Sequence, residues 1–415
     1  MKKIALNCLL VMFLLASMLL TACGGSDGEE TTLYIGGSFA LTGAYAEDTA
    51  AVLAGFQDYA RYVNDNHKLA PWLNDKFDEN IKLEVLWRDD ELKPEKALSI
   101  YDEFKDKMYV YRASGSQTAL PLMDLLAEDQ MGATTLVSGP YLLTPPKTIF
   151  TQYPLYTDEL AAIADWFLDN WDQERKPRVA YLTADSASGR SIDTPEMEQY
   201  LKDAGYEFVG KQFVPMVPTS PPTTQLAWLK ENNVDLVLGW MINPGSQPTI
   251  KEAVRLGMGP HLDYKITFGF AAPSHLAVFA PAMGTTGDGV VVAGSYPPFT
   301  HTDVEGIKFA NSLQETYRPD DRVGHIMYLH GIIEAMIQVE ALRLALVDTD
   351  VSELTPALVL HNGFEKIKNF STGDLTPPLT FGPGDVEGVD EIRLDTVKNG
   401  EVEFIGYYPC KHVYS

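Results

Sequence analysis

Short apolar runs alternate with amphipathic stretches along most of the chain, and this limits what it can fold into more than any other feature. Leu33-Tyr34-Ile35-Gly36 reads as a strand that ends in the turn 37–43. Residues 49–65 then carry Val52, Phe56, Tyr59, Tyr62 and Val63 at helical spacing. Ile81 to Trp87 alternates as a strand. Lys93 to Lys105 reads as a helix with Pro94 at its start, where a missing N–H costs nothing. Further strands are expected at 108–111, 133–137, 179–183, 234–240, 266–270 and 289–293. Helices fall between the later ones, at 195–204 closed by Gly205, at 226–232, and at 250–256 closed by Gly257. Longer helices follow at 304–317 and 325–347, then short strand-like runs at 379–381, 391–394 and 402–407. Strands that recur with helices between them form parallel sheets covered on both faces, so the fold class is α/β. A single hydrophobic core stops growing near ~250–300 residues. This chain has 415, so two lobes are expected. Ligands of such sheets bind beyond the carboxyl ends of the strands, which in two lobes can face each other across a cleft.

The N-terminus is of another kind. Lys2 and Lys3 precede an uncharged apolar run from Ile4 to Leu20, followed by Thr21-Ala22-Cys23-Gly24-Gly25. A positive start, an apolar run and small residues before a cleavage point mark an export signal, here residues 1–22. A membrane span needs roughly 18 or more apolar residues, so a plain anchor is the competing reading. Cys23, however, sits where a lipobox places its nucleophile. The motif resembles bacterial lipoprotein signals, with cleavage before Cys23 and acylation of its thiol and new amino group. Two or more acyl chains anchor stably where one does not. Residues 23–32, small and acidic from Gly25 onward, read as a flexible tether. The protein is therefore expected to be exported and lipid-anchored, facing the periplasm or the extracellular side.

Loss of residues 1–22 would remove two lysines and no acid, moving the net charge from −25 to −27. So acidic a chain is repelled by nucleic acid and by anionic membrane surfaces, and nucleic acid is not expected as a partner. Beyond the signal and Cys23 only Cys410 remains; it can form no intramolecular disulfide and reads as a structural or idle thiol.

Motifs for catalysis are missing. There is no G-x-S-x-G elbow, no Walker A loop and no H-E-x-x-H pair. His325 and His330 are five apart and do not share a helix face. Asp89 and Asp90 follow a strand, but Arg88, Glu91 and Lys93 around them suggest a polar loop. No metal, no cofactor and no enzyme activity are expected. Loops rich in hydroxyl and amide groups say more. Ser114-Gly115-Ser116-Gln117-Thr118 lies between a strand and a helix starting near Ala119. Amides at that helix start, with Ser and Thr hydroxyls, can hold a carboxylate without a fixed cation. A plain N-cap by Ser116 or Thr118 is the simpler reading. Ser138-Gly139-Pro140-Tyr141 is a second such loop. Opposing loops come from 185–189, including Ser188, from 240–243, led by Trp240, and from Phe268-Gly269-Phe270. Together they suit a small acid with an apolar body, although Trp240, Phe268 and Phe270 read equally well as core.

The order of elements also carries a resemblance. Gly37-Ser38-Phe39-Ala40-Leu41-Thr42-Gly43-Ala44-Tyr45-Ala46, followed by a helix with Gly55 that ends at Val63-Asn64, is similar to the opening of branched-chain amino-acid type ABC-transporter solute-binding proteins. The likeness continues through Arg88-Asp89-Asp90, Ser114 to Thr118, Val179 to Leu182, Val234 to Val237, and 288–346. It implies two Rossmann-like lobes of periplasmic binding protein type I, joined by three crossovers. Residues 33–153 and 289–350 would form lobe 1, and 154–288 and 351–415 lobe 2. It implies a monomer that closes on one small ligand (an amino acid, an amide, or an aromatic or aliphatic carboxylate) and delivers it to ABC permease subunits. In that family the loop matching Ser114–Thr118 holds the ligand carboxylate and the loop matching Ser138–Tyr141 adds contacts. An aromatic often occupies the position of Ser188, and an acid after the strand at Ile266 often holds the ligand ammonium. Here the matching stretch is Phe268-Gly269-Phe270, with Asp48 as a substitute acid, or else the ligand has no amine. Two rivals remain. A cleft enzyme would need a nucleophile–base pair or a metal cluster. A sensor for a separate receptor would need only the binding site.

Overall fold

The computed structural model describes residues 31–43, 45–272, 274–294 and 296–414. The expected signal and Cys23 lie outside the described residues. The first strand, β1 (Thr31–Phe39), begins at Thr31, so the last two residues assigned to the tether belong to the fold.

In the first lobe β1 pairs in parallel with β2 (Ile81–Asp89), in register from Thr31–Ile81 to Phe39–Asp89. A second parallel ladder joins β3 (Val110–Ala113), β4 (Gly132–Thr135) and β5 (Ile149–Phe150). The backbones of β1 and β3 lie alongside each other. A Cβ on Gly37, at φ +143°, would come within 2.5 Å of the Arg112 carbonyl oxygen. A side chain supplies the missing ladder bond. The Gly36 N–H donates to Gln338 Oε1 at 2.8 Å, and Gln338 Nε2 donates to the Tyr111 carbonyl at 2.9 Å. Gln338 stands on the helix Met327–Ala345, which packs with the helix Ala46–Asn66 on this sheet.

The second lobe holds one seven-stranded sheet in the order β12-β11-β10-β9-β8-β6-β7. Its parallel part is β6 (Arg178–Ala184), β7 (Glu207–Val214), β8 (Leu236–Gly239), β9 (Thr267–Phe270) and β10 (Val291–Ala293). The hairpin β11 (Glu391–Lys398) and β12 (Glu401–Pro409) adds antiparallel to its edge. Asn399 and Gly400 form its turn at φ +54° and +78°. Positive φ at both central residues is what a twisted two-residue hairpin needs.

The α/β class, mostly parallel sheets and three crossovers match the sequence reading. The positions of the second and third crossovers do not. β10 belongs to the second sheet, so the return to lobe 1 comes after Gly294 rather than at 289. Residues 351–389, assigned to lobe 2, pack into the first core through Leu354, Val359, Phe364, Phe370 and Phe381. Phe364 stacks on Phe150 at 4.7 Å and would strike any Cβ placed on Gly132. The short runs in this segment lack a period, and only their partners across the core reveal where they go.

Candidate functional site

The carboxyl ends of both sheets open on one cavity of about 110 Å³. One water needs roughly 10–15 Å³ of such space, so the cavity has room for a small organic molecule. Nearly every loop that lines it starts one or two residues beyond a strand. Ala40 follows β1, Ser114 follows β3, Leu136 follows β4, Ser186 follows β6, Met216 follows β7, Trp240 follows β8 and Ala272 follows β9. Parallel strands bring their C-termini to one edge, so one topology gathers residues far apart in sequence.

Each lobe offers a short helix to the cavity. In lobe 1, the helix Ser116–Ala119 follows Gly115, whose N–H donates to Thr118 Oγ1 at 3.0 Å. Ser114 Oγ donates to Asp90 Oδ2 and lies 3.0 Å from Thr118 Oγ1. Asp90 is buried and also accepts from the Leu92 N–H at 3.0 Å. The supposed polar loop is thus a rigid support for Ser114. In lobe 2, Ser186 Oγ accepts from the Gly189 N–H at 3.0 Å and caps the helix Ala187–Arg190. A Cβ on Gly189 would come within 2.0 Å of the Ala184 carbonyl oxygen, so only glycine lets this helix sit on the end of β6. The lobes touch across the cavity. Tyr141 Oη lies 3.1 Å from Ser188 Oγ, and Tyr45 Oη 3.5 Å from Met216 Sδ. Burial pushes the Tyr141 phenol up despite its bonds to Ser188 and Ser116, so it meets Ser188 as a neutral hydroxyl.

Of the residues singled out in the sequence, Asp48, Ser114, Ser116, Gln117, Ser188 and Trp240 line the cavity. Thr118 stands behind it as a cap. Ser138 is buried, and its carbonyl accepts from the Tyr156 N–H at 3.1 Å. Tyr141 forms the bridge between lobes. Phe270 is a correction: it is the last residue of β9, fully buried in the second-lobe core, and does not border the cavity.

A family model described as periplasmic binding protein matches residues 32–401. The chain belongs to the periplasmic binding protein family. No curated protein sequence matches it significantly. Among solved structures it is similar to a branched chain amino acid ABC transporter from Thermus thermophilus with bound valine, at 20% identity and TM-score 0.78, over 93% of this chain and 98% of that one. It is similar to a fatty acid ABC transporter substrate-binding protein from Thermomonospora curvata, at 19% identity and TM-score 0.75, over 92% and 94%. A third is the solute binding protein of an ABC transporter from Rhodopseudomonas palustris BisB5 in complex with 3,4-dihydroxy benzoic acid, at 17% identity and TM-score 0.69, over 91% and 98%. At these identities the likeness establishes the fold.

This periplasmic binding protein also lines its cavity with residues that sequence reasoning missed, among them Tyr45, Tyr156, Met216 and His275. Tyr156 packs edge-on against Trp240 at 5.8 Å, so the two rings form one aromatic wall. The segment after β9 was read two or three residues early; beyond Phe270 it delivers Ala272 and His275. His275 is half-buried and borders the cavity, yet its Nδ1 is sealed from solvent with no partner among the described residues. Burial, reinforced by His325 and His330, pushes its pKa down to about 3. The imidazole is therefore neutral. Asp48 Oδ1 pairs with His325 Nε2 at 3.2 Å; burial pushes the Asp48 carboxyl up although His325 opposes this.

The histidine has a consequence in acid. An unfolded histidine takes up a proton below about pH 6.5, whereas folded His275 does not. Its contribution to stability is present above that pH and is lost as the pH falls toward 3. The advantage of the native protein over His275→Gln should shrink by about 2 kcal/mol between pH 7 and 5, measured by urea unfolding of both at each pH.

Proposed function

We propose that this protein is the extracytoplasmic solute-binding component of an ABC importer and captures a small carboxylate with an aromatic or apolar body and no ammonium group. The observation that carries the reading is a single cavity built from both lobes, with hydroxyl- and amide-bearing helix starts at Ser116 and Ser186–Ser188 and an aromatic wall of Tyr156 and Trp240. Hydroxyls and helix-start amides bind an anion without a fixed cation. Among the described residues nothing comparable awaits an ammonium. Asp48, the one acid lining the cavity among the described residues, already pairs with His325. In the loop after β9, Ala272 meets the cavity, with its N–H given to Glu159 at 2.9 Å. Among relatives of this fold, one holds valine and another 3,4-dihydroxy benzoic acid; the lining here favours the second type.

Binding breaks no bond. The ligand touches both lobes and stabilises the closed state through contacts that the open state lacks, and the closed form docks on permease subunits. One chain supplies the whole site, so a monomer suffices. Among the described residues no helix is long and apolar enough to cross a membrane; the lipobox-like Cys23 supports attachment by a lipid. Cys23→Ala should abolish incorporation of labelled fatty acid; undiminished labelling would end the anchor assignment. For the ligand, a thermal-shift panel decides. Benzoate-type and aliphatic carboxylates should raise the melting temperature, and leucine or valine should do so at least tenfold less effectively. A stronger response to the amino acids would overturn the ammonium-free reading, and no response to any small solute would overturn the binding role.

A further inference from the structure

Away from the cavity, donors from three distant parts of the chain converge beside the crossovers. Asp158 stands in the first turn of the helix Tyr156–Asp169, Glu387 on the last crossover, and Cys410 immediately after β12. One ligand atom from each lies within 4.8 Å of the other two. We propose that these three side chains form a binding site for a divalent, zinc-class cation.

The backbone fixes all three positions. The Thr151 N–H donates to the Val386 carbonyl at 3.0 Å and the Gly388 N–H to the Thr151 carbonyl at 2.8 Å, which clamps the crossover. The Leu155 N–H donates to Glu387 Oε2 at 2.9 Å, and the Cys410 N–H to the Asp390 carbonyl at 2.7 Å. Asp158 is fully buried. Its Oδ1 accepts from the Val413 N–H at 2.8 Å, while its Oδ2 is sealed from solvent with no hydrogen-bond partner among the described residues. A buried carboxylate oxygen without a donor is unfavourable, and a cation would satisfy it.

The donor set selects the ion. Calcium and magnesium take all-oxygen shells, whereas zinc accepts thiolate and carboxylate together. Tetrahedral ligands about zinc stand roughly 3.3–3.8 Å apart, given bonds of roughly 2.0–2.3 Å. The present spacing therefore needs only small side-chain adjustments. His412 Nδ1, 3.8 Å from Cys410 Sγ, places an imidazole beside the thiol.

The purified full chain, stripped of metal and kept reduced, should take up one equivalent of Co²⁺ with a near-ultraviolet sulfur-to-metal charge-transfer band, which Zn²⁺ then abolishes by displacement. Zn²⁺ should raise the melting temperature. Cys410→Ser should lose the band and weaken Zn²⁺ binding at least tenfold, with unchanged circular dichroism. Glu387→Gln should keep the band and weaken binding at least tenfold. Folded native protein with no band and no bound equivalent, or Cys410→Ser binding Zn²⁺ as tightly as the native chain, would overturn the site.

Discussion

Glu334→Ala should cost the fold about 3–5 kcal/mol, read as a lower urea midpoint. Arg112 and Glu334 have no exposed side-chain surface, and Arg112 Nε donates to Glu334 Oε2 at 2.6 Å. Arg112 also donates from Nη1 to the Ser38 carbonyl at 2.9 Å and lies 4.5 Å over the Phe39 ring. Burial pulls the Glu334 carboxyl up, but Arg112 and His330 outweigh it and hold it below the usual range. His330 is neutral: burial lowers its pKa against the pull of Glu334, and its Nδ1 accepts from Gln152 Nε2 at 2.7 Å. Glu334 therefore balances Arg112, which cannot shed its proton. Removing the carboxylate strands a buried guanidinium. Glu334→Gln keeps an acceptor and should fall between the two, while the double replacement Arg112→Met, Glu334→Leu should recover most of the loss. Because the folded carboxyl titrates below its unfolded value, this stabilisation is complete above about pH 4.3 and disappears as the pH falls through the folded value.

Gly55→Val should be as damaging, at about 3 kcal/mol or more. The helices Ala46–Asn66 and Met327–Ala345 cross backbone to backbone. A Cβ on Gly55 would lie 2.3 Å from the Tyr328 carbonyl oxygen, and one on Gly331 would lie 2.0 Å from that of Val52. These contacts are with main chain, which cannot swing aside as a side-chain tip can. Valine must push the helices apart and open voids around Phe56 and Ile332, both fully buried. Gly324→Ala is the control: a Cβ there meets nothing within 4 Å, so its midpoint should change by less than about 0.5 kcal/mol. Equal effects at both positions would contradict a helix crossing set by Gly55.

The same helix pair marks what could be read in the sequence. The helix at 195–204 is legible because Thr194 caps it, Pro195 opens it and Gly205 closes it at φ +110°. The helix Tyr156–Asp169 was missed because its residues from Tyr156 to Ala164 are all buried, and a helix covered on every side has no polar stripe. Edge strand β7 was missed for the converse reason, being half-exposed along nearly all its length. Gln338 and Glu334 stand in the sequence only as polar residues within a long, mostly apolar helix. Their roles, bridging β1 to β3 and balancing Arg112, depend on partners more than 200 residues away in sequence. In the cavity the loops after β3, β6 and β8 were legible because hydroxyls or an aromatic directly follow an apolar run. His275 was not, since it follows the end of β9 by five residues and only the fold brings it back to the cavity.

Calorimetric titration of the purified protein with the best carboxylate of the panel tests the proposal that one small carboxylate is held between the two lobes. One molecule should bind per chain, and affinity should fall at least a hundredfold both in Ser116→Trp, which fills the cavity from lobe 1, and in Ser188→Trp, which fills it from lobe 2. A stoichiometry other than one, or full affinity in either folded variant, would contradict a site shared by the lobes.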